Sequence, residues 1–349
     1  MRCAALLLGL WCATLCAQQD PIPTEADWVV RDFAFRSGER LPELKLHYLT
    51  FGTPQRDDAG RVRNAVLLLH GTGSSSAPFL TAGFLGTLFL PGQPLDAQKY
   101  FLILPDAIGH GDSSKPSDGL HAKFPAYDYE DMVLAQYRLV SEHLGIDHLR
   151  LVLGTEMGGM QAWLWGERYP DFVDALMPIA STPAAISGRH RIYRDMVIDA
   201  IQTDPAWNGG EYTAPPRGLL SAQFVMYLMT QSARQLEHSA PTPGIADAQF
   251  QAWRRRALRL ADANDLLYQF HASTSYDPGP SLDKIRARVF AVYFADDELN
   301  PPELGIAERE IRRVPRGRYI LIPGSEETRG TSTGMRARVW RSYLEELLR

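Results

Sequence analysis

The residues best suited to chemistry stand in one short turn. Leu151-Val-Leu-Gly-Thr-Glu-Met-Gly-Gly-Met160 runs an apolar strand into Gly154-x-Glu156-x-Gly158 and leaves through a helix. That is the frame of a nucleophile elbow, G-x-S-x-G, in which a tight turn holds its central side chain above a sheet. Glycines flank the centre because a Cβ would collide in so sharp a turn. The centre here is not a hydroxyl but the carboxylate of Glu156. A carboxylate at such a place can attack an alkyl carbon, move a proton, or occupy the position meant for a substrate oxygen. Further acidic groups come late in the chain, in Ala295-Asp-Asp-Glu-Leu-Asn-Pro-Pro302, and hydroxyls follow Arg329-Gly330 as Thr331-Ser332-Thr333.

The elements that must position these groups are legible as short apolar runs alternating with amphipathic stretches. Ala65–His70, Tyr100–Pro105, Leu149–Leu153, Leu176–Ala180, Val289–Phe294 and Tyr319–Ile322 read as buried strands. Tyr129–Leu144, stopped by Gly145, Met160–Tyr169 and Met335–Leu348 read as helices. Such alternation predicts the α/β class, a mostly parallel sheet with helices on both faces. Residues 183–282 break the pattern, being rich in Met, Gln, Arg and Ala and without a convincing strand. They are expected to form a helical lid over the strand ends, where open α/β sheets bind ligands, or a subdomain that only packs. The core is then 18–182 and 283–349.

Apolar residues make up 45% of the 349, enough for a large core, and the formal net charge of −5 gives no basic face for nucleic acid or an anionic membrane. Met1-Arg2 followed by the apolar run Ala4–Leu15 reads as a signal peptide over residues 1–17, cut after Ala17, so a periplasmic or secreted protein is expected. The run is too short to span a bilayer, and no later run is long enough. Cys3, Cys12 and Cys16 all lie in this segment, which leaves the mature chain without thiol or disulfide chemistry. With no HExxH, cysteine pair or P-loop, neither a metal nor another cofactor is expected. Asp296-Asp297-Glu298 with Glu156 could form an oxygen-rich cation site, or be a solvated acidic loop around one structural aspartate.

Taken together, four motifs resemble the homoserine O-acetyltransferase-like branch of the α/β-hydrolases: His70-Gly-Thr-Gly73, Asp106-x-Ile-Gly-His-Gly-Asp-Ser-Ser-Lys-Pro-Ser117, Gly154-x-x-Met-Gly-Gly-Met-Gln161 and Ala295-Asp-Asp-Glu-x-Asn-Pro-Pro302. Thr328-Arg-Gly330 completes the set. The resemblance implies an α/β-hydrolase fold with a Ser-His-Asp triad. It puts the serine on Glu156 and the acid on Asp297, whose Asp-x-x-x-Pro spacing to Pro301 fits, with Asp296 as the alternative. The histidine position, normally Arg-Gly-His, falls on Thr331. Thr72 and Met157 would supply the oxyanion-hole amides. The branch often pairs through its lid helices, so a homodimer is implied as a possibility. Acetyl-CoA is a cytoplasmic cosubstrate, which argues against homoserine esterification by an exported chain.

Nucleophile and base are thus both replaced, and losing either costs a serine hydrolase about six orders of magnitude in turnover. Three readings follow. In the first, the chain is a non-hydrolytic pseudoenzyme that binds a small molecule under the lid, its Glu156 carboxylate folded back onto the Met157 and Thr72 amides. In the second, Glu156 and Asp297 share one pocket, like charges raise one pKa, and the pair does acid–base chemistry. In the third, a displaced histidine restores ester hydrolysis. His121 and His190 could reach the pocket or be plain surface histidines, His70 and His110 belong to turn motifs, His143 and His148 flank a helix end and read as solvated, and the chain also holds His47, His238 and His271.

Overall fold

The computed structural model describes residues 21–349; the expected signal peptide, its cleavage point and the three cysteines lie outside them. The strands are β1 (Thr24–Ala34), β2 (Arg40–Phe51), β3 (Ala65–Leu69), β4 (Phe101–Pro105), β5 (Leu151–Thr155), β6 (Ala175–Ile179), β7 (Arg288–Phe294) and β8 (Gly317–Ile322). They form one sheet in the order β1-β2-β4-β3-β5-β6-β7-β8. Only β2 breaks the common direction, pairing antiparallel with β1 and with β4. The remaining neighbours run parallel.

Helices α1 (Leu85–Leu88), α2 (Tyr129–Arg138) and α3 (Met157–Arg168) precede β6. Five more follow one another between β6 and β7: α4 (Gly188–Gln202), α5 (Arg217–Thr230), α6 (Ala233–Ser239), α7 (Pro243–Leu260) and α8 (Ala263–His271). The short α9 (Ile306–Glu310) and the closing α10 (Arg341–Leu348) complete the chain.

The central strands are unbroken apolar runs because both faces of the sheet are covered. Along β3, Leu67 and Leu69 point into the core that holds Met132 of α2 and Trp163 of α3. Val66 and Leu68 point the other way, onto Leu88 of α1 and Leu344 of α10. Helices α4, α5 and α8 bury a smaller core of their own around Val197, Leu219 and Phe270. The fold is therefore α/β, a mostly parallel sheet with helices on both faces.

Three details depart from the sequence pattern. The hairpin β1–β2 was not expected; β1 is an edge strand burying only Val30 and Phe33, so its alternation is weak. The helix from Tyr129 ends as an α-helix at Arg138 and continues as one wide π turn, Leu139–His143, before Gly145 at φ +62. The closing helix begins only at Arg341, because Ser332–Met335 and Ala337–Val339 form tight 3-10 turns and the Trp340 indole donates to the Gly334 carbonyl at 3.0 Å.

Candidate functional site

Glu156 stands where β5 turns into α3, at φ 53 and ψ −114, a left-handed backbone that costs a residue with a side chain. The glycines around it are forced by close approach. A Cβ on Gly154 would lie 2.0 Å from the Gly158 carbonyl oxygen, and one on Gly158 would lie 2.1 Å from that of Leu69. The Glu156 amide donates to the Ile179 carbonyl on β6 at 2.9 Å, and its carbonyl accepts from Met160 at 2.9 Å to open α3.

The Glu156 side chain leans against the backbone of Gly71: a Cβ added there would meet Oε2 at 3.0 Å. What exposure it keeps opens onto a cavity of about 30 Å³ shared with Thr72, Met157, Tyr193, Arg194 and Leu299. That is room for about one water molecule. Thr72 and Met157, expected as oxyanion-hole residues, thus share the Glu156 cavity. The carboxylate does not fold back onto their amides, and among the described residues it accepts no hydrogen bond. Burial pushes this carboxyl up to about 7, the nearby Asp297 charge pushes it the same way, and Arg194 opposes both.

Asp297 is 3% exposed, on the loop after β7. Its Oδ1 accepts from the Leu299 amide at 2.8 Å and the Asn300 amide at 3.1 Å, and its Oδ2 from the Asn300 side chain at 3.3 Å. Burial lifts it to about 6, while those donors hold it from rising further. Asp297 raises Glu156, yet Glu156 is not among the main influences on Asp297. Asp296 is engaged elsewhere, its Oδ2 accepting from the Thr328 hydroxyl at 2.9 Å and the Gly330 amide at 3.2 Å. Of the two candidates for the acid position, Asp297 is the one whose charge pushes the Glu156 carboxyl up.

Thr331 is 1% exposed, and its hydroxyl has no hydrogen-bond partner. The preceding Gly330 turns at φ +57 against the backbone of Asp296 and of Ser232 at the start of α6. No histidine lines the Glu156 cavity. His121 leans toward the Gly210 carbonyl at 3.3 Å, and His190 lines a different cavity. His70 accepts from the Ala107 amide at 3.0 Å and His110 contacts the Ile108 carbonyl at 2.9 Å, so both tie down turns. The acidic groups Asp296, Asp297, Glu298 and Glu156 do not gather their oxygens into one cation cage; among the described residues such a grouping is His47, Asp106 and Asp112. Asp106 there already accepts from the Ser76 and Asp112 amides at 2.7 and 2.9 Å.

One residue of the site was not foreseen. Arg194 of α4 is 5% exposed, donates to the Ser273 hydroxyl at 2.8 Å and sits 5.4 Å over the Phe270 ring. Its Nε has no partner, and the side chain borders the Glu156 cavity. It brings a buried cation toward the elbow carboxylate. A larger cavity of about 710 Å³ lies between the Gly73 and Gly109 loops and helices α5, α7 and α8. Met226 and Thr230 of α5 line both this chamber and the Glu156 cavity. Tyr227 and Trp253, 4.5 Å apart between ring centres, give the chamber an aromatic wall. Among the described residues no helix is long and apolar enough to cross a membrane.

Residues 64–327 match the family described as alpha/beta hydrolase fold. A probable acyltransferase of Methanothermobacter thermautotrophicus is 31% identical over 84% of this chain and 88% of its own length. A homoserine O-acetyltransferase of Haemophilus influenzae is 30% identical over 76% of this chain and 81% of its own. Among solved structures, esterase E22 superposes with a TM-score of 0.82 at 19% identity, covering 94% of this chain and 100% of that one. The homoserine O-acetyltransferase from Bacillus anthracis gives 0.81 at 20% identity, over 94% and 98%. The chain belongs to the α/β-hydrolase fold family, on its homoserine O-acetyltransferase-like branch.

Proposed function

We propose that this chain is a non-hydrolytic member of its family, one that binds a small molecule in the chamber under helices α5, α7 and α8, which act as a lid. The observation that carries the reading is the occupied elbow. On this reading Glu156 takes the serine's place; it borders a cavity of about 30 Å³ whose described lining includes no histidine. Acyl transfer needs a hydroxyl that a base can deprotonate, and here neither partner is present. The chamber of about 710 Å³ is of ordinary ligand size, its Met226, Tyr227, Trp253 and Leu266 surfaces facing a polar side that includes Lys115, Asp262 and Asp265.

A second reading is favoured by one specific observation: the Glu156 carboxyl, free of hydrogen bonds, is lifted to about 7. A group balanced there exchanges its proton at neutral pH, as a general acid or base must. The Arg194 guanidinium would then stabilise the ionised state.

Nitrophenyl butyrate, followed by methionine-methyl NMR and by absorbance, tests the first reading. The Met226 methyl should shift in a saturable way while no nitrophenolate is released. Release of nitrophenolate that is lost in Glu156→Ala would replace this reading with the second. No shift at Met226 at millimolar ester would remove the chamber as the binding site.

A further inference from the structure

We propose that the chain binds a compact, soluble oxyanion carrying two or more negative charges, in a groove at the amino ends of its parallel strands. The neighbouring strands β5, β6, β7 and β8 run in one direction, so their amino ends line up at one end of the sheet. Arg150 stands just before β5, Asp174 before β6 and Arg316 before β8, while Arg288 opens β7. Two cavities of about 440 and 550 Å³ lie there and share Pro170, Arg286 and Arg316, which makes them one groove. Glu156 follows the carboxyl end of β5, roughly 20 Å from Arg150 at about 3.3 Å per strand residue. The groove is therefore remote from the elbow, and its occupant is independent of what the elbow does.

The charges of the smaller cavity do not cancel. Arg150, Arg286, Arg288 and Arg316 line it against the carboxylates of Asp171 and Asp174. Arg349, the last residue of the sequence, brings a carboxylate as well as a guanidinium. Two positive charges are left over, in a chain whose formal net charge is −5. In the larger cavity Lys284 is offset by Asp283, and burial beside the Glu130 charge lifts the Glu167 carboxyl to about 8. The excess thus sits in the smaller cavity, which is where the anion belongs.

The fold fixes most of these cations. Arg150 donates to the Leu348 carbonyl at 2.6 Å and Arg288 to that of Glu346, which caps the open end of α10. Arg286 pairs with Asp171, and Asp174 meets His148 at 2.9 Å and Arg150 at 3.4 Å. The Arg316 guanidinium has no such tie. It is exposed, lines both cavities, and among the described residues has no hydrogen-bond or ion-pair partner. Its backbone is held, because its carbonyl accepts from the Val289 amide at 3.0 Å. An unengaged guanidinium fork on a fixed backbone, with further cations beside it, matches the paired oxygens of an oxyanion. An excess of two charges suits a compact anion and falls short of the many phosphate contacts that hold a nucleic acid.

The test is titration of the full chain with inorganic pyrophosphate at low ionic strength, with formate as the singly charged control. Calorimetry reads the affinity, and NMR follows the arginine Nε–H signals and the methionine methyls. Pyrophosphate should bind in a saturable way and shift the Arg316 signal, with Met226 unmoved, while formate at the same concentration does neither. Arg316→Ala should weaken pyrophosphate about tenfold, and Arg316→Glu should abolish its binding. Both substitutions fall on an exposed side chain, so the fold is kept. Unaltered pyrophosphate affinity in Arg316→Glu would overturn the proposal, as would equal binding of formate or no saturable binding at millimolar pyrophosphate. Because Met226 reports separately on the chamber under the lid, failure of this site is distinguishable from failure of the functional reading above.

Discussion

At Glu156 a left-handed backbone and a desolvated carboxyl coincide, and each sets a measurable consequence. Burial raises the carboxyl from an ordinary 4.5 to about 7. The folded chain therefore holds this proton longer than the unfolded chain does. The sign follows: stability is greatest below the unfolded value and is lost as pH rises through the folded one. Glu156→Gln keeps the shape and cannot ionise, so it should stabilise the protein by about 2 kcal/mol at pH 8 and change little at pH 4, read by denaturant unfolding at both. The neighbouring glycines are held by contact, not by charge. Gly158→Ala sets a Cβ 2.1 Å from the Leu69 carbonyl and should destabilise by about 3 kcal/mol at either pH, by the same measurement. Much of the site is legible at this scale, since Gly154-x-Glu156-x-Gly158 and the Asp297-to-Pro301 spacing are local patterns. Arg194 is not. It is one of several arginines near the start of α4, and only the packing of α4 on α8 decides which is buried against Phe270 and Ser273.

The elements divide by how much they bury. β3, β5 and β6 are buried at every position, which is why their sequences read as plain apolar runs. The edge strand β1 escapes such reading because most of its residues face water. The boundaries of the helical stretches escape it too: the tight turns around Gly334 and the wide turn after Arg138 rest on backbone geometry that periodicity does not encode. Helix α6, only seven residues long, buries none of them, though its cap Ser232 abuts Gly330 before Thr331. Its amides should therefore exchange with solvent faster than those of α3 and of the central strands, measured by native-state hydrogen exchange. Exchange as slow as that of β5 would mean that α6 is clamped by contacts other than those seen.

For the whole molecule, the chain belongs to the α/β-hydrolase fold family, and on the reading proposed above the groups at its elbow are not those of a serine hydrolase. β5 carries residue 156 to the edge of a small cavity that Arg194 of α4 also lines. Thr331 is buried, and among the described residues its hydroxyl has no hydrogen-bond partner. On the proposed reading, the frame is retained without its reactive pair. Turnover of a short-chain nitrophenyl ester panel tests this most directly, comparing the native chain with Glu156→Ala and with the double variant Glu156→Ser/Thr331→His. The account predicts silence from the native chain and from Glu156→Ala, with turnover at least about a thousandfold above background in the double variant. Turnover by the native chain that disappears in Glu156→Ala would contradict it and assign the chemistry to the carboxylate.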